Sequence, residues 1–244
     1  MQPISAAVRQ SVATALSGRF AIYTAVHKGL RRTLADTLVA VGQIDATDAK
    51  SVASGLSSVR ALVTQCREHL HSENQFIHPA MEARRPGSTR GTASEHVNHE
   101  ASFETLSADV LAAERSTGRD REIALAILYQ RLAFFAAANY EHMFEEETHN
   151  QAVLWDAYSD EELRGIQCAI VASHSPEQTS EALRTILPAL SPAERVGFLA
   201  GARRAMPPEA FNGLLAFTVS LLDEVNAGKL RAAFETAARE QAAA

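Results

Sequence analysis

The sequence predicts an all-α protein, an up-down four-helix bundle followed by a C-terminal helical extension. Alanine and leucine dominate, and the strict alternation of a half-buried strand is nearly absent. Apolar residues instead recur at spacings of three and four, as in Leu125, Leu128, Leu132 and Phe135, which is helix spacing. Turn-forming stretches divide the 244 residues into helix-length segments. A chain of this length can bury a substantial core.

The turn-forming stretches fix the order of the elements. They lie at 42–47, 86–91 and 117–120, and a serine followed three residues later by Glu or Gln marks three later helix starts. We expect helices at about 18–42, 48–84, 92–117 and 120–157, then at about 160–173, 176–190, 192–205 and 208–240. Pro79 is expected to bend the second helix or end it early.

Composition narrows the class of function. A net charge of −6 provides no basic excess, so we expect no nucleic-acid partner. Only Cys66 and Cys168 are present, which implies no disulfide framework. The N-terminus lacks the order of a signal peptide, and no uninterrupted apolar run approaches the roughly 18 residues of a membrane span. These features predict a cytoplasmic protein without a membrane partner.

The histidines are confined almost entirely to the first part of the chain. Eight of nine precede Tyr158, and only His174 follows it. We therefore expect a metal-binding bundle at 1–158 and a helical extension of unknown role at 159–244. The extension is amphipathic and carries no ligand set, which favours a second helical layer or a homodimer interface over a separate activity.

Glutamate follows histidine at one particular spacing more often than chance allows. Four of the nine histidines have Glu four residues later, whereas chance would give fewer than one. Residues at i and i+4 lie on one helix face, so one imidazole and one carboxylate can reach the same ion. A single pair of this kind is more often a solvated surface. The four pairs are His69/Glu73, His78/Glu82, His96/Glu100 and His142/Glu146.

The distance of each histidine from the turn that joins two neighbouring helices indicates which of these pairs can meet. Side chains on antiparallel neighbours meet when they lie equally far from the joining turn. His27 is about 18 residues before the first turn and His69 about 21 after it, which at 1.5 Å per residue is a difference of less than one turn. His96 and His142 lie about 21 and 22 residues from the third turn. His27 therefore pairs with His69, and His96 with His142.

The same plan occurs twice, a lone histidine on one helix and His-x-x-x-Glu on the next. Such twofold inward ligation is how helical bundles hold two metal ions. Imidazole and carboxylate without thiolate suit iron or manganese, and zinc also accepts them. We expect two iron ions, oxo- or hydroxo-bridged, with one position open on each. The expected ligands are His27, His69, Glu73, His96, His142 and Glu146.

Helix geometry also distinguishes among the other candidate residues near these positions. His99 lies about 60° around the helix from His96, and Glu100 lies on the His96 face, so both are additional ligand candidates. Glu145 is a rival to Glu146, but only Glu146 repeats the i+4 spacing of Glu73. His71 and His78 are expected to point outward, and His149 shares the His142 face but lies too far along. Tyr23, one turn before His27, is either a hydrogen-bonding partner of the site or, more commonly, a core residue. Cys66, one turn before His69, is either a redox-sensitive thiol near the metal or, more commonly, a small buried residue.

Residues 18–157 resemble the hemerythrin-like family, the HHE cation-binding domains. The resemblance lies in His27 and in the segments "HLHSENQFIHPAME", "EHVNHE" and "YEHMFEEE". It is closest to the four-histidine, two-glutamate subgroup that includes the repair-of-iron-centres proteins, whose N-terminal cysteine-bearing region has no counterpart here. Oxygen-carrying members use a fifth histidine and an aspartate that follows the last histidine; here no Asp follows His142 at that spacing. The resemblance implies a non-haem di-iron centre on the six expected ligands.

Three functions follow from this reading. The first is a di-iron protein that binds, senses or handles O2, NO or peroxide, or iron itself. The second is a di-iron enzyme or repair factor, such as a peroxidase, an NO-handling protein or a source of iron for damaged iron centres. The third is a metal-free structural helical protein, which the repeated ligand pattern opposes. The sequence does not separate the first two.

Overall fold

The computed structural model describes residues 5–243, with side chains up to residue 236, so the outer limits of the two expected domains, residues 1 and 244, lie outside it. Every regular element in this range is helical. The α-helices are α1 (Ala6–Leu16), α2 (Thr24–Gly42), α3 (Ala49–Ser72), α4 (His78–Arg84), α5 (Arg90–Arg115), α6 (Gly118–Glu145), α7 (Gln151–Ala157), α8 (Asp160–Ser173), α9 (Pro176–Ala189), α10 (Pro192–Ala205), α11 (Pro208–Ser220) and α12 (Glu224–Ala243).

Helices α2, α3, α5 and α6 form the predicted up-down four-helix bundle. Each packs against two of the others, in the cyclic order α2, α3, α5, α6. The core between them is aliphatic, and Leu34, Val59, Leu62, Leu128 and Leu132 are fully buried. Truncating any of these leucines to alanine removes packing and leaves a cavity, at a cost of about 2–5 kcal/mol.

Two π-helical turns interrupt the long helices. One spans Glu73–Ile77 between α3 and α4, and the other spans Glu146–Asn150 between α6 and α7. Each begins at the glutamate of a His-x-x-x-Glu pair, which fits the frequent occurrence of π turns at functional sites. Pro79 lies in the first turn of α4, so the irregularity that we expected at Pro79 precedes it.

A second apolar cluster closes the bundle beyond the π turns. Its buried residues come from the segment before α2, from the end of the first π turn, from α4, from α7 and from α8, and are Ile22, Tyr23, Ile77, Met81, Leu154, Leu163 and Ile170. The space between this cluster and the bundle core contains the histidines and glutamates described below.

The helix boundaries differ from expectation in three places. Helix α1 was not predicted. Helix α2 begins at Thr24 rather than near residue 18, because the backbone of Phe20 and Ile22 bonds to the side chains of Trp155 and Gln151. The helix expected at about 208–240 is two helices. The Asp223 carboxylate accepts a hydrogen bond from the Asn226 N–H at 2.9 Å, as at a new helix start.

The later helix starts were read correctly. Ser159 with Glu162 and Ser191 with Glu194 form complete capping boxes at the beginnings of α8 and α10. These caps satisfy backbone donors that a helix leaves free in its first turn.

The chain divides into two compact units, residues 1–175 and 176–244. Helix α8 belongs with the first unit because Leu163 and Ile170 are part of the cluster that closes the bundle. The expected boundary at 158 therefore lies one helix earlier than this division. The second unit, α9 to α12, has its own small core around Leu199, Phe211 and Leu230.

One continuous helical stretch, Gly118–Ala157, is long and apolar enough to cross a membrane by length and composition alone. A third of its most apolar window is buried within the protein. A core helix of a bundle passes the same test, so a single such stretch is weak evidence for a membrane span.

Candidate metal centre

The structure brings all six expected ligand residues together. Four donor atoms from His27, His69, Glu73 and Glu146 lie within 4.8 Å of one another, and so do four from Glu73, His96, His142 and Glu146. We call these groups the His27 position and the His142 position. Both contain Glu73 and Glu146, so the two glutamates lie between two pairs of histidines.

Within each pair the two imidazoles face each other through Nε2. The Nε2 atoms of His27 and His69 are 3.1 Å apart, and those of His96 and His142 are also 3.1 Å apart. All four side chains are at most 13% exposed. Two nitrogens at this separation can both reach one ion at the usual distance of about 2.0–2.1 Å.

The two carboxylates reach both pairs. Glu73 places Oε1 3.1 Å from Nε2 of His69 and Oε2 3.6 Å from Nε2 of His96. Glu146 places Oε2 3.4 Å from Nε2 of His27 and 3.3 Å from Nε2 of His142. Each carboxylate therefore lies within reach of both pairs of imidazoles.

Neighbouring side chains determine which imidazole nitrogen faces inward. His27 Nδ1 is 3.0 Å from Glu147 Oε1, His142 Nδ1 is 2.7 Å from Glu95 Oε2, and His96 Nδ1 is 2.8 Å from Asn74 Oδ1. These oxygens only accept, so Nδ1 carries the proton and Nε2 presents its lone pair to the centre. Nδ1 bonding of this kind is the usual support of metal-binding histidines.

Arg31 fixes the position of Glu147. Its two terminal nitrogens donate to the two Glu147 oxygens at 2.6 and 3.0 Å, a bidentate pair. Sequence reasoning missed Arg31, Glu147, Glu95 and Asn74. A usable signal was present: Asn74 and Glu147 each directly follow a glutamate of the centre, and Glu95 directly precedes His96.

Burial makes charge costly in this centre. It raises the pKa of Glu73 to about 8, an effect that Glu146 partly offsets. Burial and then the charge of Glu73 raise the pKa of Glu146 to about 8. Burial, together with the neighbouring histidines, lowers the pKa of His69 and His96. For His27 burial also lowers the pKa, but Glu146 and Glu147 outweigh it and the net shift is upward.

The carboxylate oxygens of the centre have no hydrogen-bond partner among the described residues. This holds for both oxygens of Glu73 and both of Glu146, although the two side chains are at most 1% exposed. Buried carboxylates are normally paired or coordinate a metal. Four unpaired oxygens, together with the inward lone pairs of His27, His96 and His142, fit a centre built for cations.

Tyr23 is a further polar residue at this centre. Its side chain is 1% exposed, and its ring lies 5.2 Å from the His27 ring. The hydroxyl is close to the Asn150 side chain but makes no hydrogen bond of acceptable geometry. Burial, and then the charges of Glu146 and Glu73, raise the Tyr23 pKa. The residue is buried, as core packing requires, and its unpaired hydroxyl also fits the alternative of a hydrogen-bonding role at the centre.

The additional ligand candidates lie outside both positions. Glu100 is exposed. His99 is buried with its ring 4.9 Å from that of His142, but its Nδ1 is 3.4 Å from the Asn139 amide nitrogen and it belongs to neither group of four. Glu145, the rival of Glu146, is exposed, as are His71 and His149.

The expectation that His78 points outward was wrong. The residue is 6% exposed, its ring stacks on that of His96 at 4.7 Å, and its Nε2 is 3.4 Å from Thr92 Oγ1. A regular helix would place His78 about 180° from His69, but the π turn absorbs about one residue and reduces this to about 80°. The same effect turns His149 away from the His142 face.

The model of the hemerythrin HHE cation binding domain family matches residues 20–154, which is more than half of the chain. No curated protein and no solved structure matches the sequence. The matched range begins just before α2 and ends in α7, so it contains the bundle, both π turns and all six residues of the centre. The chain therefore belongs to the hemerythrin HHE cation-binding domain family.

Proposed function

We propose that the bundle holds two iron ions, one at the His27 position and one at the His142 position, and that it binds or senses a small ligand such as O2, NO or peroxide. One observation carries this proposal: two groups of two imidazoles share the same two buried carboxylates, Glu73 and Glu146. An arrangement for a single ion would need no second pair of histidines.

The donor set supports iron. Each position offers two nitrogens and two carboxylate oxygens and no thiolate, because Cys66 is outside both groups. Such donors suit iron or manganese, and zinc also binds them. Four protein donors leave room in the coordination of iron for an exogenous ligand, and iron supplies the capacity to bind O2 or NO.

The protein side chains have separate tasks in this scheme. Glu147, Glu95 and Asn74 hold the imidazoles with Nε2 inward. The aliphatic bundle core and the cluster around Met81 and Leu154 limit the access of water. The low polarity that results strengthens every electrostatic interaction between an ion and the two carboxylates.

Metal content and spectrum test the proposal. Untagged protein, loaded with Fe²⁺ without oxygen and then exposed to air, should contain about two irons per chain and show near-ultraviolet charge-transfer bands of a bridged ferric pair. Glu73→Gln should lose both, whereas Glu100→Gln, an equal charge change on an exposed residue, should keep them. Fewer than one metal per chain after anaerobic loading contradicts the proposal.

Tyr23 favours catalysis as a second candidate function. An unpaired phenol beside the centre can donate a hydrogen bond or a proton to a bound ligand, which a protein that only stores or senses the ligand does not require. Repeated additions of peroxide with a reducing dye separate the two. Turnover that falls in Tyr23→Phe without loss of iron supports an enzyme, and stoichiometric binding without turnover supports a binding protein.

A further inference from the structure

The two halves of the centre follow one sequence plan, so their residues can be compared position by position. The residue after each glutamate accepts a hydrogen bond from the lone histidine of the opposite half. Asn74, after Glu73, lies 2.8 Å from Nδ1 of His96, and Glu147, after Glu146, lies 3.0 Å from Nδ1 of His27. Both lone histidines are therefore held in the same way.

The residue before each lone histidine breaks this symmetry. Glu95, before His96, accepts a hydrogen bond from Nδ1 of His142 at 2.7 Å. The equivalent residue before His27 is Val26, an apolar side chain packed against the bundle core, which accepts nothing. Within the described part of the chain, His69 has no hydrogen bond through Nδ1.

Solvent exposure also distinguishes His69 from the other three histidines of the centre. The His69 side chain is 13% exposed, whereas those of His27, His96 and His142 are 0%, 3% and 6% exposed. His69 is therefore the imidazole that solvent approaches most readily and that its neighbours hold least.

The charge of the outer carboxylate also differs between the His27 position and the His142 position. Glu147, beside the His27 position, is neutralised by the bidentate pair with Arg31. Glu95, beside the His142 position, has no Lys or Arg in ion-pair contact among the described residues, so it adds a negative charge to that side. An outer carboxylate raises the basicity of the imidazole that it holds and thereby strengthens metal binding.

We infer that the two metal positions are unequal: the His142 position binds its ion first and tightly, and the His27 position binds the second ion weakly, exchanges it through the His69 side and admits the small ligand there. This inference rests on the proposed dinuclear centre. It assigns to Glu95 and Val26 the role of positioning residues that distinguish the two ions, although neither touches an ion itself.

A metal titration tests it on the full chain. Protein stripped by a chelator is titrated with Co²⁺ in the presence of a competing indicator dye, and the visible Co²⁺ bands report the coordination of each ion. Two binding steps are expected, separated by about tenfold or more. Two ions bound in one step with equal affinity would overturn the inference but leave the dinuclear centre intact. Fewer than two ions per chain would instead contradict the proposed function.

The Glu95→Ala variant identifies which step belongs to which position. It should weaken the tight step by about 10–100-fold and leave the weak step unchanged. Glu100→Ala, on the same helix but exposed and outside the centre, is the control for charge and should change neither step. Equal weakening of both steps in Glu95→Ala would overturn the assignment.

The converse variant, Val26→Glu, supplies His69 with the carboxylate that His142 already has. The weak step should tighten and the two steps should approach each other, while Val26→Leu keeps the original gap. If Val26→Glu does not fold, the Glu95→Ala titration still decides the question. If Val26→Glu folds and leaves the difference in affinity between the two steps unchanged, the missing acceptor at residue 26 is not the cause of the weaker second step.

Discussion

Replacing Glu146 by glutamine should stabilise the metal-free protein and destabilise the metal-loaded one. In the absence of a cation, burial holds the Glu146 pKa at about 8, against an ordinary value of 4.5. A carboxyl whose pKa is raised on folding favours the unfolded chain wherever that chain ionises and the folded one does not. Glutamine has the same shape and cannot ionise, so this cost disappears.

The magnitude follows from the two pKa values. At pH 7 the unfolded carboxyl is ionised and the folded one is largely protonated, which costs roughly 3 kcal/mol at 1.36 kcal/mol per pKa unit. The cost is absent below pH 4.5, grows as pH rises, and reaches its limit once pH passes about 8. Glu146→Gln should therefore raise the free energy of unfolding by roughly 3 kcal/mol at pH 7 and by less than about 1 kcal/mol at pH 5.

Urea unfolding of chelator-treated protein, followed by circular dichroism at pH 5, 7 and 8, measures this difference. Glu145→Gln, an equal charge change at the exposed neighbouring residue, gives the baseline. After Fe²⁺ loading without oxygen the order should reverse, because the wild type would gain the binding energy of the two proposed ions, whereas Glu146→Gln lacks one of the carboxylates proposed to hold them. If metal-free Glu146→Gln is no more stable at pH 7 than the Glu145→Gln control, the carboxyl carries no burial cost and the reasoning is refuted.

The remaining predictions concern the reactivity of the two cysteines, the packing of Gly55 and the hydroxyl of Tyr23. At pH 8 a thiol reagent should modify one cysteine per native chain and two per unfolded chain. The reason is that Cys168 is exposed, whereas Cys66 is buried and its burial raises the thiol pKa to about 12. Rapid labelling of both cysteines in the native protein would contradict this prediction. Gly55→Ala should cost about 1–3 kcal/mol in urea unfolding, because its Cβ would overlap the Ile44 side chain, and the cost should shrink in an Ile44→Ala background. Tyr23→Phe should leave the iron content and stability nearly unchanged, since the lost hydroxyl has no partner, but should weaken NO binding by roughly 2–10-fold in a spectroscopic titration; a large loss of iron would show that the phenol supports the centre itself.

The bundle could be predicted because its determinants are local and periodic. Apolar spacing and the turn-forming stretches placed the starts of α3, α5 and α6 to within two residues, although the expected helices 48–84 and 120–157 each contain a π turn and a further α-helix. Depth along antiparallel helices paired His27 with His69 and His96 with His142. Apolar spacing and depth depend only on the rise and rotation of a regular helix. Whether the six convergent residues bind metal stays a prediction.

The features that were missed depend on departures from regular geometry or on long-range contacts. His78 was placed outside because nothing local in "SENQFIHP" announces a π turn, and one absorbed residue changes the direction of every side chain after it. The acceptors Glu95 and Glu147 belong to abundant surface residue types, and only the fold brings them against His142 and His27. The first turn of the expected first helix was lost to side-chain contacts from Trp155 and Gln151, more than a hundred residues away.

The π turns allow one continuous helix to pack against two apolar clusters although the inward-facing residues of its two parts do not follow one regular helical repeat. Before Glu146, the inward face of α6 follows the aliphatic core; after it, the phase has moved by about one residue, and Asn150 and Leu154 face the second cluster. A deletion of a single residue within Glu146–Asn150 would restore a regular α-helix and leave that second part facing the same way, because the π turn has already absorbed that residue. Loss of the π turn without a deletion would instead rotate the second part by about 100°. A one-residue deletion in either π turn is therefore the change by which a relative of this protein could lose the turn and still keep the structure that closes over the centre in place.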